Sequence, residues 1–245
     1  LFERFPVQSV YAMHNWPAMK PGTVGLNSGA MMAAADRITI EISGRGGHGA
    51  HAYQAVDVVL VAAHIITAVQ GIVSRNVRPL DSAVISLCAV QAGDLGAFSV
   101  LPGTATLVGT VRSFDPVVQD MVQRRIQELC GAIALGFGAT ANVRYERIYP
   151  ATINTESDAI FAGNVAESLV GAENVVRDLE PSMGAEDFSF MLQSRPGAYL
   201  RIGQGTGPGN SALHNSRYDF NDDILPLGAA LHASLVEQAM PLASA

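Results

Sequence analysis

The stretch DRITIEISG (residues 36–44) alternates Ile38, Ile40 and Ile42 with Thr39, Glu41 and Ser43. That period of two is the mark of a strand with one buried and one open face. Downstream, AVDVVLVAAHIITAVQGIVSRNV (55–77) predicts a long helix. Val59, Ala63, Ile66 and Ile72 are expected on its buried stripe, and Pro79 ends it. SAVISLCAVQAG (82–93) and ATLVGTVRSF (105–114) predict two strands joined by a Gly-containing loop. DPVVQDMVQRRIQELCGAIALGFG (115–138) predicts an amphipathic helix, with Asp115 at the N-cap and Pro116 in the first turn. TANVRYERIY (140–149) predicts a closing strand.

Strand, helix, strand, strand, helix, strand is the order of a split βαβ, ferredoxin-like α+β module with an antiparallel four-stranded sheet. The module runs over 36–149. Residues 1–35 and 150–245 flank it and are expected to form one larger α/β domain into which it is inserted. Their predicted elements are a strand in VQSVYAMHN (7–15), a helix in DAIFAGNVAESLVG (158–171) and a helix in LPLGAALHASLVEQAM (225–240).

The chain has 245 residues, 49% hydrophobic and 15% charged, enough apolar material for a sizeable core. A formal net charge of −7 argues against nucleic acid or an anionic membrane as a partner. Cys88 and Cys130 lie outside any CxxC pattern and are expected to be buried thiols of a cytoplasmic protein. The opening residues lack a signal-peptide pattern, and the apolar run AVISLCAV is too short to span a bilayer. The chain starts at Leu1 rather than Met, which raises the expectation of a processed end or a fragment.

The six histidines divide by context. His64 and His232 lie within apolar helical runs and are expected to pack or face solvent. His14 and His214 each follow an apolar residue and precede an asparagine, where loops build sites. Imidazole is the commonest side-chain metal ligand, but two histidines do not complete a coordination shell, so spacing alone leaves them as ordinary loop histidines. His48 stands among Gly46, Gly47 and Gly49, which permit positive φ and close approach of another group; a surface turn with an incidental histidine explains it equally well. Arg112 interrupts an apolar strand, either as an exposed edge residue or as a clamp for a carboxylate. Glu186 and Asp187 are expected to form a helix N-cap pair. No GxSxG element is present, and neither cysteine lies in a nucleophile motif.

Taken in order, HNWPAMKPGTVG (14–25), ISGRGGHGAH (42–51), SAVISLCAVQAGD (82–94), LVGTVRSFD (107–115), MGAEDFSF (183–190) and LHNSRYDFNDDIL (213–225) resemble the hippurate hydrolase branch of the metal-dependent N-acyl-amino-acid amidohydrolases, relatives of aminoacylase and carboxypeptidase G. The resemblance implies a zinc-peptidase-like catalytic domain that binds a pair of divalent metal ions, zinc or manganese. It also implies an inserted lid domain that forms a homodimer. It makes His14 and His214 metal ligands and His48 a stabiliser of the tetrahedral oxyanion, often in the partner subunit's site. Arg112 becomes the contact for the substrate carboxylate.

Two local departures stand out. Ala52-Tyr53 replace the usual Pro-His, and Ser99, in the substrate-binding loop, replaces the usual Asn. The family's remaining ligands and its general-base glutamate belong upstream of the HNWP segment. The expectation is therefore a small-molecule N-acyl amino acid hydrolase whose active site is incomplete in this chain, which alone has little or no activity. A non-catalytic dimerisation module and a di- or tripeptidase are the competing readings.

Overall fold

The structure is a computed structural model that describes residues 1–205 and 212–241. Its strands in chain order are β1 (Val10–Trp16), β2 (Val24–Gly25), β3 (Ala30–Met32), β4 (Ala34–Ser43), β5 (Gly47–His48) and β6 (Ala83–Ala92). They continue with β7 (Val100–Leu101), β8 (Thr104–Ser113), β9 (Thr140–Tyr149), β10 (Thr152–Ile153), β11 (Val175–Val176) and β12 (Gly197–Gly203). The α-helices are α1 (Val58–Asn76), α2 (Pro116–Gly136), α3 (Glu156–Val170), α4 (Ser189–Ser194) and α5 (Leu225–Ala239). The chain forms two compact units, one of residues 1–32, 152–182 and 186–245, the other of residues 33–151 with 183–185.

In the second unit the sheet order is β6-β8-β4-β9, antiparallel throughout. With its two helices this is the ferredoxin-like arrangement that the alternation at Ile38, Ile40 and Ile42 predicts. Those three side chains are fully buried and pack with Val61, Ile65 and Val69 of α1 and with Val122 and Ile126 of α2. Asp57 caps α1 by accepting from the Val59 and Leu60 amides, and Asp115 caps α2 by accepting from Val117, with Pro116 in the first turn. Buried Asp36 is satisfied rather than charged against nothing: it accepts from Gln119 Nε2 at 2.8 Å and from the Tyr145 hydroxyl at 2.5 Å.

Two expectations change. On α1 only Ile72 of the four named stripe residues is fully buried, whereas Val59 and Ala63 are exposed, because the core-facing stripe runs through Val58, Val61, Ala62, Ile65 and Val69. An apolar helix face therefore looks outward. By length and composition α1 could also cross a membrane, but here its buried stripe packs on the sheet. Cys130 is buried, but Cys88 is exposed on β6, an edge strand that leaves one flank uncovered.

In the first unit the sheet order is β1-β12-β2-β11, with β1 parallel to β12 and β12 antiparallel to β2. Alternation divides its faces. Tyr11, Met13, Ala198, Leu200 and Ile202 pack with α3 and α5. Val10, Ala12, Trp16 and Tyr199 pack on the opposite face with Met31, Met32 and Phe188. His14 belongs to this second face by the same alternation.

Candidate metal centre

His14 sits on β1, whose register partner on β12 is Arg201. Its Nδ1 lies 2.6 Å from the Asn15 carbonyl. A carbonyl only accepts, so Nδ1 carries the proton and Nε2 keeps its lone pair in the neutral ring. That is how a histidine is oriented as a metal ligand, with the far nitrogen pinned to a backbone carbonyl.

The Asn15 side chain links this strand to the second histidine segment. Its Nδ2 donates to Gln204 Oε1 at 2.5 Å and also to the Tyr218 hydroxyl. Tyr218 donates to Gln204 Oε1 at 2.6 Å, Gln204 donates to the Asp219 carbonyl, and Asn221 donates to the Gln204 carbonyl. The network fastens residues 218–221 onto the ends of β1 and β12, four residues after His214. His214 itself is exposed and has φ 64°, the one positive φ of a non-glycine residue among the described residues. A left-handed histidine costs on the order of 1–2 kcal/mol, and such strain concentrates at functional sites. The two histidine-asparagine triplets are thus parts of one bonded assembly. Among the described residues, no group of three or more His, Cys, Asp and Glu side chains is placed to hold a metal ion. His14 fits a ligand's role by its tautomer, and the donor set is partial.

Nearby on the same face, Glu186 is half-buried and does not cap α4, whose N-cap Phe188 makes no side-chain cap bond. The N-cap expectation for Glu186 and Asp187 therefore fails. Burial, and then the Glu186 carboxylate, push the Tyr199 phenol well above its ordinary range.

The other three predicted residues lie in the second unit, and two of them are brought together. His48 pairs with Val100 across β5 and β7, and the Gly49 amide donates to the Ser99 carbonyl at 2.7 Å. The glycines serve close approach, not positive φ: a Cβ on Gly46 would meet the Leu101 carbonyl at 2.8 Å, and one on Gly49 the Ser99 carbonyl at 3.2 Å. Exposed His48 accepts the Ala50 amide at Nδ1, 3.1 Å away. Its neutral ring therefore presents Nε2–H outward as a donor. Arg112 is not at a sheet edge. It is half-buried on β8 between β4 and β6, on the face away from the helices, where its Nη1 donates to Thr110 Oγ1 at 2.7 Å.

The sequence profile of peptidase family M20/M25/M40 matches residues 1–238. The chain belongs to that family. It is 36% identical over 235 residues to the hippurate hydrolase of Campylobacter jejuni, an alignment that covers 96% of this chain and 60% of that protein. It is 36% identical over 197 residues to the N-acetyl-L-cysteine deacetylase of Bacillus subtilis, covering 80% of this chain and 46% of the relative. A Bacillus subtilis structure described as a dinuclear metal binding peptidase of the M20 family superposes with a TM-score of 0.78 at 27% identity, covering 95% of this chain and 57% of the other. The chain thus spans about three-fifths or less of the length of these M20 relatives.

Sequence reasoning missed Trp16, Arg201, Gln204 and Tyr218. Arg201, in AYLRIG, carried the same signal as Arg112: a cation interrupting an apolar strand.

Proposed function

We propose that the intact protein hydrolyses the amide bond of N-acyl amino acids of the hippurate type, using a pair of divalent metal ions held in part by His14 and His214. The observation that carries this is the His14 ring, pinned through Nδ1 and bonded by way of Asn15 to the segment that follows His214. When bound, the cations polarise the scissile carbonyl and lower the pKa of the attacking water. His48, with its Nε2–H turned outward, donates to the developing oxyanion, a role worth about 3 kcal/mol. Arg112, steadied by Thr110, takes the carboxylate of the amino-acid half as a planar two-pronged donor. Ser99, whose carbonyl accepts the Gly49 amide beside His48, serves in this reading as a substrate contact.

The second unit also supports self-association, and we assign it a homodimer contact. Val59 and Leu60 on α1, and Val84 and Val90 on β6, are large exposed apolar side chains beside an open strand edge. A di- or tripeptidase activity is the second reading, supported by the Bacillus subtilis peptidase structure. Assaying the intact protein on N-benzoyl, N-acetyl and dipeptide substrates separates the two. Faster turnover of N-benzoylglycine than of any dipeptide is expected, and the reverse order overturns the amidohydrolase reading.

A further inference from the structure

Arg201 is a cation where the core calls for an apolar side chain. It lies in the middle of β12 at 3% exposure, flanked by β1 and β2. Its N–H groups go to the Met31 carbonyl at 3.1 Å, the Met32 sulfur at 3.1 Å and, weakly, the Glu180 carbonyl at 3.4 Å. Among the described residues it has no ion pair with a carboxylate, and its Nε has no hydrogen-bond partner. A buried guanidinium left this way is expensive, and an isosteric Met or Leu would fill the same space at lower cost. The compensating contact is specific. The guanidinium carbon stands 3.8 Å from the centre of the Trp16 ring. Trp16 in turn meets the His14 ring edge-on, with centroids 5.9 Å apart and planes at 74°.

We infer that Arg201 is a positioning residue for His14, acting through Trp16. The flat guanidinium fixes the plane of the indole, and the indole edge fixes the imidazole so that Nδ1 stays on the Asn15 carbonyl and Nε2 points away from it. The role toward a metal rests on the ligand reading of His14; the positioning itself does not. Arg201→Lys keeps the charge but loses the plane that stacks, so it does not substitute.

The test uses Arg201→Met, Arg201→Lys and Trp16→Leu in this chain, with the His14 ring nitrogens read by long-range ¹⁵N–¹H spectra without metal. The parent chain is expected to show the Nδ1–H tautomer, and each variant a mixture of tautomers. In the intact protein the same variants are expected to weaken Co²⁺ binding about tenfold and to alter its visible absorption. Trp16→Leu keeps the Arg201 contacts to Met31 and Glu180, so it reports on the relay even where Arg201→Met does not fold. An unchanged His14 spectrum in Trp16→Leu, or in a folded Arg201→Met with a lowered unfolding temperature, makes Arg201 a structural tie and overturns the inference. If the spectra shift while His14→Ala leaves metal content intact, the positioning stands and the ligand reading falls.

Discussion

At the residue scale, the bonds that set proton positions matter more than proximity. His14 and His48 are pinned in opposite senses, Nδ1–H on a carbonyl in one and Nδ1 accepting an amide in the other. The first exposes a lone pair and the second a proton, which suits a ligand and an oxyanion donor respectively. Tyr218→Phe removes the hydroxyl shared by Asn15 and Gln204. It is expected to cost about 1 kcal/mol in thermal unfolding and to weaken metal binding in the intact protein. Titration gives a separate prediction. Burial raises the Cys130 thiol from 9.0 to about 12, and burial with Asp158 raises the Tyr11 phenol from 10.0 to about 12. Both groups are neutral in the folded state and ionise earlier when unfolded, so their contribution is complete below pH 9 and is lost as pH rises toward 12. Unfolding temperature should hold steady to about pH 8.5 and fall above it, and Cys130→Ala should flatten that fall.

At the element scale, the alternation of Ile38, Ile40 and Ile42 was sufficient to place β4, because a period of two has one meaning once a face is buried. The caps at Asp115 and Pro116 were equally legible. The phase of α1 was not: nearly every position is apolar, so the pattern does not say which stripe turns inward, and Val59 and Ala63 turned out. For Arg112 the sequence left an edge position and a carboxylate clamp both open, and the pairing of β8 with β4 and β6 removes the edge alternative, because strand order is set by long-range pairing that no local window contains. Glu186 was misread as a cap because its carboxylate accepts the adjacent Asp187 amide, outside the helix that starts at Ser189. The glycines around His48 are the testable element. Gly46→Val places a side chain against the Leu101 carbonyl and should pry β5 from β7. The expected outcome is a fall of tenfold or more in kcat of the intact protein, with the unfolding temperature of the unit little changed, measured by steady-state kinetics and calorimetry.

At the scale of the whole molecule, the five candidate residues fall in different units, His14 and His214 in one and His48, Ser99 and Arg112 in the other. The resemblance read in the ordered motifs was stronger than any single motif, and the family match over residues 1–238 bears it out. The ligand roles of His14 and His214 come from the resemblance, and among the described residues no group of three or more His, Cys, Asp and Glu side chains gathers to hold a metal ion. Leu60→Glu on the outward face of α1 should shift the protein from dimer to monomer in sedimentation, and an unchanged dimer would place the contact elsewhere.

We propose that His14 and His214 belong to one metal centre. Its most direct test is metal analysis of the intact protein alongside His14→Ala and His214→Ala. Each substitution is expected to lower the bound metal per chain while the fold is kept. Full metal content in both folded variants would contradict it.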